Sequence, residues 1–376
     1  MKQLLYISFE NAKNRASGVN KKIDGQIKAF EARGFKVSLI ARYDETICLK
    51  EADKETIIPN PNKTGLRKLL TSWVIDNCAG IDCVYIRFQF FCPWIYSMLK
   101  KLHHKGVRCV MEIPTYPYIG ELKRQGLHGV PKYLCDSIYK RISARYIDSF
   151  AVPVYSGEVL GRPCIEIRNG ISIDEVAPKN ARAGSADDPI KLLAVAMMAP
   201  WHGYDRVIEG LNRYYNEQEH SRTVELHLVG EGVATSDYNL LIEKYGLQKY
   251  VIQHGRLSGA DLSSMYDQCN IGVASLGIHR IGIYKTNTLK TLEYVAKGLP
   301  IVCEDGETIL ENDTQYRLTM PWDDTPVDIA SVVKFYEKLT QKEDEFTLIE
   351  NIREKCRKTC SVEVGMKAVI DFLLGK

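Results

Sequence analysis

The feature that most constrains this chain is an alternation that runs through nearly all of it. Short apolar, β-rich runs give way repeatedly to longer segments with helical periodicity, the pattern of βαβ units around a parallel sheet. In the first half the strands are expected near Gln3–Ser8, Lys36–Ala41, Cys83–Arg87, Arg108–Glu112, Ser149–Pro153 and Ile165–Ile167. Helices are expected near Val19–Arg33, Trp94–His104 and Lys132–Tyr146; the first sets Ile23, Ile27 and Phe30 on one face, with Gly34 as its stop. Residues 176–189 (VAPKNARAGSADDP) lose all periodicity and read as a linker. The alternation then restarts. Strands are expected at Ile190–Val195, Val224–Val229, Val251–Gln253, Ile271–Ala274 and Pro300–Cys303, with helices at Tyr204–Tyr215, Gly259–Gln268 and Leu289–Lys297. From Pro326 onward two or three helices follow, the last at Val362–Leu374. With 376 residues, the chain is long enough for two doubly wound α/β domains, residues 1–175 and 190–358. A final helix in 359–376 is available to pack back on the first domain. In folds of this kind ligands bind at the carboxyl ends of the strands.

Charge and cysteines narrow the class. Residues 1–170 carry a net charge of +11 and the remainder −8. Two readings of that asymmetry stand: ordinary variation between domains, or a basic first half resting on an anionic membrane surface or pyrophosphate-bearing substrate. No apolar run of about 18 residues occurs, and the opening MKQLLYISFE reads as a first strand, not a signal peptide. Eleven cysteines lie scattered with no CxxC pair, which points to reduced, mostly buried thiols and a cytoplasmic setting.

The segment Leu289–Val302 (LKTLEYVAKGLPIV) carries the most chemistry. It reads as a short helix with Lys290 and Glu293 one turn apart, closed by Gly298 and running into a strand. Asn287 or Thr288 would cap it, leaving first-turn amides and the positive dipole end for a phosphate. Glu293 has the chemistry to accept hydrogen bonds from two ribose hydroxyls. An ordinary helix with a surface Lys and Glu fits the same residues.

This segment resembles the nucleotide-binding signature of GT-B glycosyltransferases, in particular family 4, the glycosyl transferases group 1. The usual form is a Glu, seven residues, and then Glu-Ala-hydrophobic-Ala-x-Gly-x-Pro. Glu293 falls on the second Glu, which in the family binds the donor ribose; Lys285 stands where the first would be, near the donor sugar. Lys290 fits a variant with a Lys near the diphosphate. Residues 196–205 (AMMAPWHGYD) match the strand-to-helix turn that cradles the diphosphate, with Gly203 kept, Met197 for the family's Arg and His202 for its Lys. A neutral His202 donates one hydrogen bond, and a protonated one adds charge near neutral pH; a helix-start surface histidine is the plain alternative. Arg206, Arg256, Arg280, Lys285 and Lys290 are candidates to replace the lost charge. Leu228–Gly232 (LVGEG), with Gly230, resembles the turn beside the nucleotide base; His254–Arg256 and Asn169–Ile171 match two further family turns. Five matches fall in order over residues 165–303. The donor set implied is Gly18, His202, Gly203, Gly230, Arg256, Lys285, Thr288, Leu289, Lys290 and Glu293.

In the first half Ser17–Lys22 resembles the family's Gly-rich loop, in which Gly18 permits close backbone approach; Lys21 and Lys22 read more simply as solvated helix-start charges. Residues 112–121 (EIPTYPYIGE) follow a strand end and are stiff and aromatic, suited to stacking on a sugar ring. Glu112 and Glu121 are the candidates for the acceptor base or for binding the acceptor hydroxyl. Basic, aromatic stretches at 92–104 and 132–148 fit either a membrane-surface patch or amphipathic helices packed on the sheet.

The resemblance implies two Rossmann-like domains facing across a cleft, with the nucleotide sugar on the second and the acceptor on the first. The implied reaction is transfer of a sugar, with retention, from a nucleotide diphosphate sugar to a glycan or lipid-linked acceptor in surface polysaccharide (capsule-type) synthesis. It proceeds in the cytoplasm or at the inner membrane face. No Asp-x-Asp motif is present, so no metal or other cofactor is expected, and nucleic acid is not an expected partner. A sugar-nucleotide epimerase of the same fold and a non-catalytic partner subunit are the alternatives.

Overall fold

The computed structural model describes the chain except residues 15–16, 53, 120–128, 183–184, 186, 218 and 221. It divides into two units: Met1–Gly170 together with Val362–Lys376, and Ile171–Ser361.

The first unit is built on a nine-stranded sheet. Its strands are β1 (Lys2–Asn11), β2 (Phe35–Tyr43), β3 (Thr46–Glu51), β4 (Lys54–Ile58), β5 (Cys83–Arg87), β6 (Arg108–Glu112), β7 (Ser149–Pro153), β8 (Gly157–Val159) and β9 (Arg162–Ile167). They lie in the order β4-β3-β2-β1-β5-β6-β7-β9-β8. The stretch β2-β1-β5-β6-β7-β9 is parallel, and β3, β4 and β8 are antiparallel additions at the edges. Strand β1 shows why its apolar run is continuous. Leu4 and Tyr6 enter a core with α1 (Gly18–Ala32), whereas Leu5 and Ile7 point the other way, toward α2 (Leu66–Asn77) and α3 (Pro93–His104). A strand covered on both faces has no polar side to show. Helix α4 (Gly129–Ala144) lies beside α3, with Tyr96 against Tyr139.

The second unit carries six parallel strands: β10 (Ile190–Val195), β11 (Val224–Val229), β12 (Val251–Gln253), β13 (Ile271–Val273), β14 (Ile301–Glu304) and β15 (Arg317–Met320). Their order, β12-β11-β10-β13-β14-β15, is the Rossmann order, with its topological switch between β10 and β13. The helices between them are α5 (Tyr204–Asn216), α6 (Thr235–Lys244), α7 (Gly259–Gln268) and α8 (Leu289–Lys297); α9 (Ile329–Thr340) and α10 (Glu345–Thr359) follow the sheet. Both units are therefore Rossmann-like. The aperiodic segment at 176–182 is fastened to the second unit: Lys179 is buried, donating to Glu345 at 2.6 Å and to the Cys269 carbonyl at 2.8 Å. The last helix, α11 (Val362–Leu374), belongs to the first unit, where Met366, Val369 and Ile370 join the Leu4/Tyr6 core.

Five elements are not foreshadowed by periodicity: α2, the β3–β4 hairpin, β8, α6 and β15. Each is short or buries little. Strand β4 is exposed along most of its length and so presents no apolar face, and α6 buries only Tyr238 and Ile242. All eleven cysteines are free thiols, ten of them buried. Among the described residues no helix is long and apolar enough to cross a membrane.

Candidate functional site

Three strand-end turns of the second unit converge at its topological switch. After β10 the chain runs through residues 196–199 and a 3-10 turn, Pro200–His202, into Gly203 and α5. Gly203 has φ +65°, and a Cβ there would lie 2.4 Å from the Leu276 carbonyl carbon in the loop after β13. Only glycine permits both the conformation and the approach. Gly230, at the end of β11, has φ +115°, and its Cβ would lie 1.9 Å from the Ala196 oxygen. The Met198 amide then donates to the Glu231 carbonyl at 3.2 Å, so the turns after β10 and β11 close on each other backbone to backbone.

Helix α8 begins beside these turns. Thr288 is its N-cap residue but makes no side-chain cap bond; its hydroxyl pairs instead with that of Thr291 at 2.7 Å. The carboxylate of Glu307, buried behind the helix start, takes the Thr291 hydroxyl at 3.2 Å and the Ile309 amide at 3.2 Å and also bonds the Thr288 backbone. This anchors the loop while leaving the first-turn positions, Leu289 and Lys290, without a side-chain cap. Helix α8 stops at Gly298, φ +89°, with Leu299 N–H returning to the Tyr294 carbonyl at 2.9 Å.

His202, Tyr204 and Lys290 form one contiguous group. The His202 ring stacks on Tyr204 at 5.7 Å and 14°, and Lys290 Nζ lies 3.2 Å from the Tyr204 hydroxyl and 5.4 Å from its ring centre. Burial lowers the Lys290 ammonium to about 7, with the Glu307 charge opposing it. Burial, then the Lys290 charge, depresses His202 to about 3, so the ring is neutral and supplies no charge near neutral pH. Of the two forms considered for His202, this environment favours the neutral one. Its Nδ1 accepts the Ala199 amide at 3.0 Å, which places the proton on Nε2 and makes that nitrogen a donor. One turn beyond Lys290, half-buried Glu293 accepts the Tyr266 hydroxyl at 3.1 Å, and its carboxylate retains further lone pairs for a ligand.

The remaining candidates are placed differently. Arg256 is exposed, with Nε 3.2 Å from the Glu231 carboxylate on the neighbouring turn. Lys285 is exposed, three residues before the Thr288 cap. Met197 is 75% exposed. Arg206 and Arg280 do not replace the missing family charge. Arg206 is fully buried on the carbonyls of Leu276, Thr325 and Pro321, and Arg280 makes a two-pronged pair with Asp205 (2.9 and 2.7 Å) and bonds Asp324 at 2.7 Å. Both guanidinium groups are spent inside the fold. Of the candidate cations, Lys290 is the one that lies within the His202–Tyr204 group.

In the first unit Gly18 is the exposed first residue of α1, capped by the Ser17 hydroxyl, which accepts from Val19 N–H at 3.2 Å. Lys22 is no solvated charge: it is buried and donates to Glu112 at 2.7 Å. Glu112 itself is wholly buried and also receives Arg87 at 2.9 Å, Gln26 at 2.9 Å and the Tyr85 hydroxyl at 2.7 Å. Burial alone would raise its carboxyl; Lys22 and Arg87 outweigh that and hold it at about 2. A carboxylate so placed neither reaches a substrate nor takes up a proton near neutral pH. Glu112 is a structural centre, not an acceptor base. Glu121 lies outside the described residues. The aromatic loop is also partly spent: Tyr118 packs in the core against Phe88 and donates to Asp136 at 3.1 Å, and Tyr116 packs on Tyr155. Among the described residues no group of three or more His, Cys, Asp or Glu side chains is arranged to hold a metal ion.

Tyr204, Tyr266 and Glu307 also contact these side chains, and the motifs of the sequence do not single them out. Tyr204 sits inside the quoted turn, directly after Gly203, and was legible there; Tyr266 and Glu307 reach the site from 27 and 16 residues away.

Residues 189–335, less than half of the chain, match the family model described as glycosyl transferases group 1. No curated protein matches the sequence. Among solved structures the chain resembles sucrose-phosphate synthase from Thermosynechococcus elongatus, with TM-score 0.63 and 16% identity over 100% of both chains. It also resembles the catalytic domain of Starch Synthase IV from Arabidopsis thaliana bound to ADP and acarbose, with TM-score 0.64 and 11% identity over 100% of this chain and 98% of that one. A third likeness is Anabaena HepE in complex with UDP-glucose, with TM-score 0.59 and 12% identity over 100% of both chains. At these identities the likeness establishes the fold, that of GT-B proteins with two Rossmann-like units.

Proposed function

We propose that this GT-B chain, whose second unit carries a glycosyl transferases group 1 domain, is a glycosyltransferase that draws its sugar from a nucleotide diphosphate sugar held on that unit. The observation that carries this is the group His202–Tyr204–Lys290 set against the uncapped start of α8, with Glu293 one turn on. Lys290 and the first-turn amides of α8 bind diphosphate oxygens, His202 Nε2–H donates a further hydrogen bond, and Glu293 accepts from the ribose hydroxyls. As the glycosidic carbon–oxygen bond breaks, negative charge collects on the departing nucleoside diphosphate, and these fixed donors stabilise it. The glycosyl group passes to an acceptor hydroxyl, whose proton leaves with the nucleotide product or solvent.

The acceptor belongs on the first unit. A glycan on a lipid carrier, made for a cell-surface polysaccharide, and retention of anomeric configuration follow the family resemblance. Peripheral contact with the membrane is supported by α4. Val130, Leu134 and Ile138, spaced by four, are exposed along it, and Lys140 and Arg141 near its end, with Arg145 just beyond, supply positive charge. Flotation with anionic vesicles, compared with neutral ones, tests that contact.

The deciding measurement is nucleotide release from a panel of nucleotide sugars, with and without glycan acceptors. Transfer requires release that depends on acceptor. Release without acceptor points to an epimerase or hydrolase, and no binding of any nucleotide sugar points to a non-catalytic subunit, the reading that Met197 and Lys285 favour. Glu293→Ala is expected to weaken donor binding by about 1–3 kcal/mol; unchanged affinity would remove its ribose role.

A further inference from the structure

Three backbone segments of the second unit set two aromatic side chains together on its surface. Tyr284 lies in the loop that leads into α8, and Trp322 in the turn after β15. Their ring centres are 5.2 Å apart and tilted by 55°, and the two residues are 54% and 40% exposed. The third segment, the turn after β14, supplies Gly306. A Cβ there would lie 2.3 Å from Trp322 Cζ2 and 2.1 Å from the Tyr284 carbonyl oxygen. A side chain at 306 would force the indole and the loop apart, so the pairing of the rings depends on this glycine. The Tyr284 loop is itself pinned: Thr286 N–H donates to the Gly306 carbonyl and Thr308 N–H to the Thr286 carbonyl, both at 2.9 Å.

Single exposed apolar residues are ordinary, but adjoining exposed rings forgo burial that their area would favour, and such a patch marks a contact surface. Its neighbours indicate the kind of contact. Asp323 and Asp324 follow Trp322, Asp305 precedes Gly306, and all three are exposed. Asp324 is paired with Arg280 at 2.7 Å, and Asp323 accepts the Thr325 amide at 2.8 Å. An apolar partner would strip water from these carboxylates at a cost, and an anionic one would be repelled by them. A neutral saccharide meets both conditions. Its C–H faces rest on flat rings, and its hydroxyls donate to carboxylates.

We infer that Tyr284 and Trp322 form a platform for a neutral oligosaccharide, where it holds sugar residues of the acceptor glycan away from the reacting hydroxyl. The word acceptor rests on the transferase reading, and the sugar contact rests on the platform alone. Tyr284 is within roughly 20 Å of Lys290 even along a fully extended chain, so the platform adjoins the proposed donor group while sharing no residue with it.

The test is calorimetric titration of the full chain with three neutral trisaccharides, maltotriose, cellotriose and mannotriose, alongside uridine diphosphate as a probe of the second unit. At least one trisaccharide is expected to bind. Trp322→Ala and Tyr284→Ala should each weaken it by about threefold to tenfold, the range of one aromatic contact, and leave uridine diphosphate binding unchanged. Trp322→Phe keeps a ring and should retain most of the affinity, yet lose the shift in indole fluorescence that the sugar induces in the wild type. Absence of binding by all three trisaccharides, or binding undiminished in both alanine variants, overturns the inference. Phosphatidylcholine vesicles are the rival probe: capture that Trp322→Ala abolishes, with no trisaccharide bound, would assign the rings to a lipid surface instead. The two readings fail separately. Trisaccharide binding without nucleotide binding keeps the platform and sinks the donor site, whereas nucleotide binding without trisaccharide binding does the reverse.

Discussion

Lys290 carries a charge that its surroundings make expensive, and this gives the proposed donor site a pH signature. In the folded chain its ammonium is lowered to about 7 by burial, far below the ordinary lysine value. The unfolded chain therefore holds the extra proton between about 7 and the ordinary value, and stability contributed by this residue rises with pH across that window. Binding runs the other way. A diphosphate beside Lys290 favours the charged form, so the complex takes up a proton, and donor affinity should fall as pH rises above about 7, by up to roughly tenfold per unit. Calorimetry in buffers of different ionisation enthalpy measures the uptake directly, and Lys290→Met should abolish it. Glu112 has the opposite sign. Its carboxyl is held at about 2, below the ordinary value, so its stabilisation is complete above that ordinary value and is lost as pH falls toward 2. Glu112→Gln strands Lys22 and Arg87 as buried charges and should cost about 3–5 kcal/mol in urea unfolding, while leaving nucleotide binding to the second unit intact.

At the scale of elements, the site depends on turns that tolerate no side chain. Gly230→Ala places a methyl 1.9 Å from the Ala196 oxygen at a φ of +115°, so the turns after β10 and β11 must separate. Several kcal/mol of destabilisation is expected, of the order seen for a strained left-handed residue plus overpacking, about 2–5 kcal/mol. Nucleotide affinity should fall with it, which a melting curve and a titration on one sample would show; a variant that binds as the wild type would mean that the turn does not shape the site. The elements legible in the sequence were those with one strong signal: β5, β6, β7, β10 and β11, short β-rich runs that are mostly apolar, and α8, fixed by its Gly298 stop. Strand β15 spans only Arg317–Met320, too short to show a period, and exposed β4 has no buried face to write into the sequence. The site followed the same division. Gly203, Lys290 and Glu293 were readable because chain neighbours define the turn and the helix that hold them. The fate of Arg206, Arg280 and Glu112 was not, because their partners are set by tertiary packing: Arg280 meets Asp205 from 75 residues away and Lys22 meets Glu112 from 90.

For the whole molecule, the chain's route ties its two units to one tail. The second unit is continuous, Ile171–Ser361, but the first is closed only when α11 returns to it. Five apolar side chains of α11, Val362, Met366, Val369, Ile370 and Leu373, are buried, and the helix end is held by Lys2 Nζ on the Leu373 carbonyl (2.7 Å) and Arg108 on that of Phe372 (2.8 Å). At roughly 1.5–3 kcal/mol per buried side chain, the helix contributes on the order of 10 kcal/mol, comparable with the total stability of an ordinary domain, about 5–15 kcal/mol. Ending the chain at Ser361 should therefore uncover Leu4, Tyr6 and Phe30 and unfold the first unit alone. The second unit keeps its sheet, the strand-end turns and α8, so the truncated chain should still bind a nucleoside diphosphate while losing sugar transfer and half of its cooperative unfolding signal. Loss of nucleotide binding in that truncation would show that the donor site needs the first unit as well, and that α8 and its turns do not hold the diphosphate by themselves.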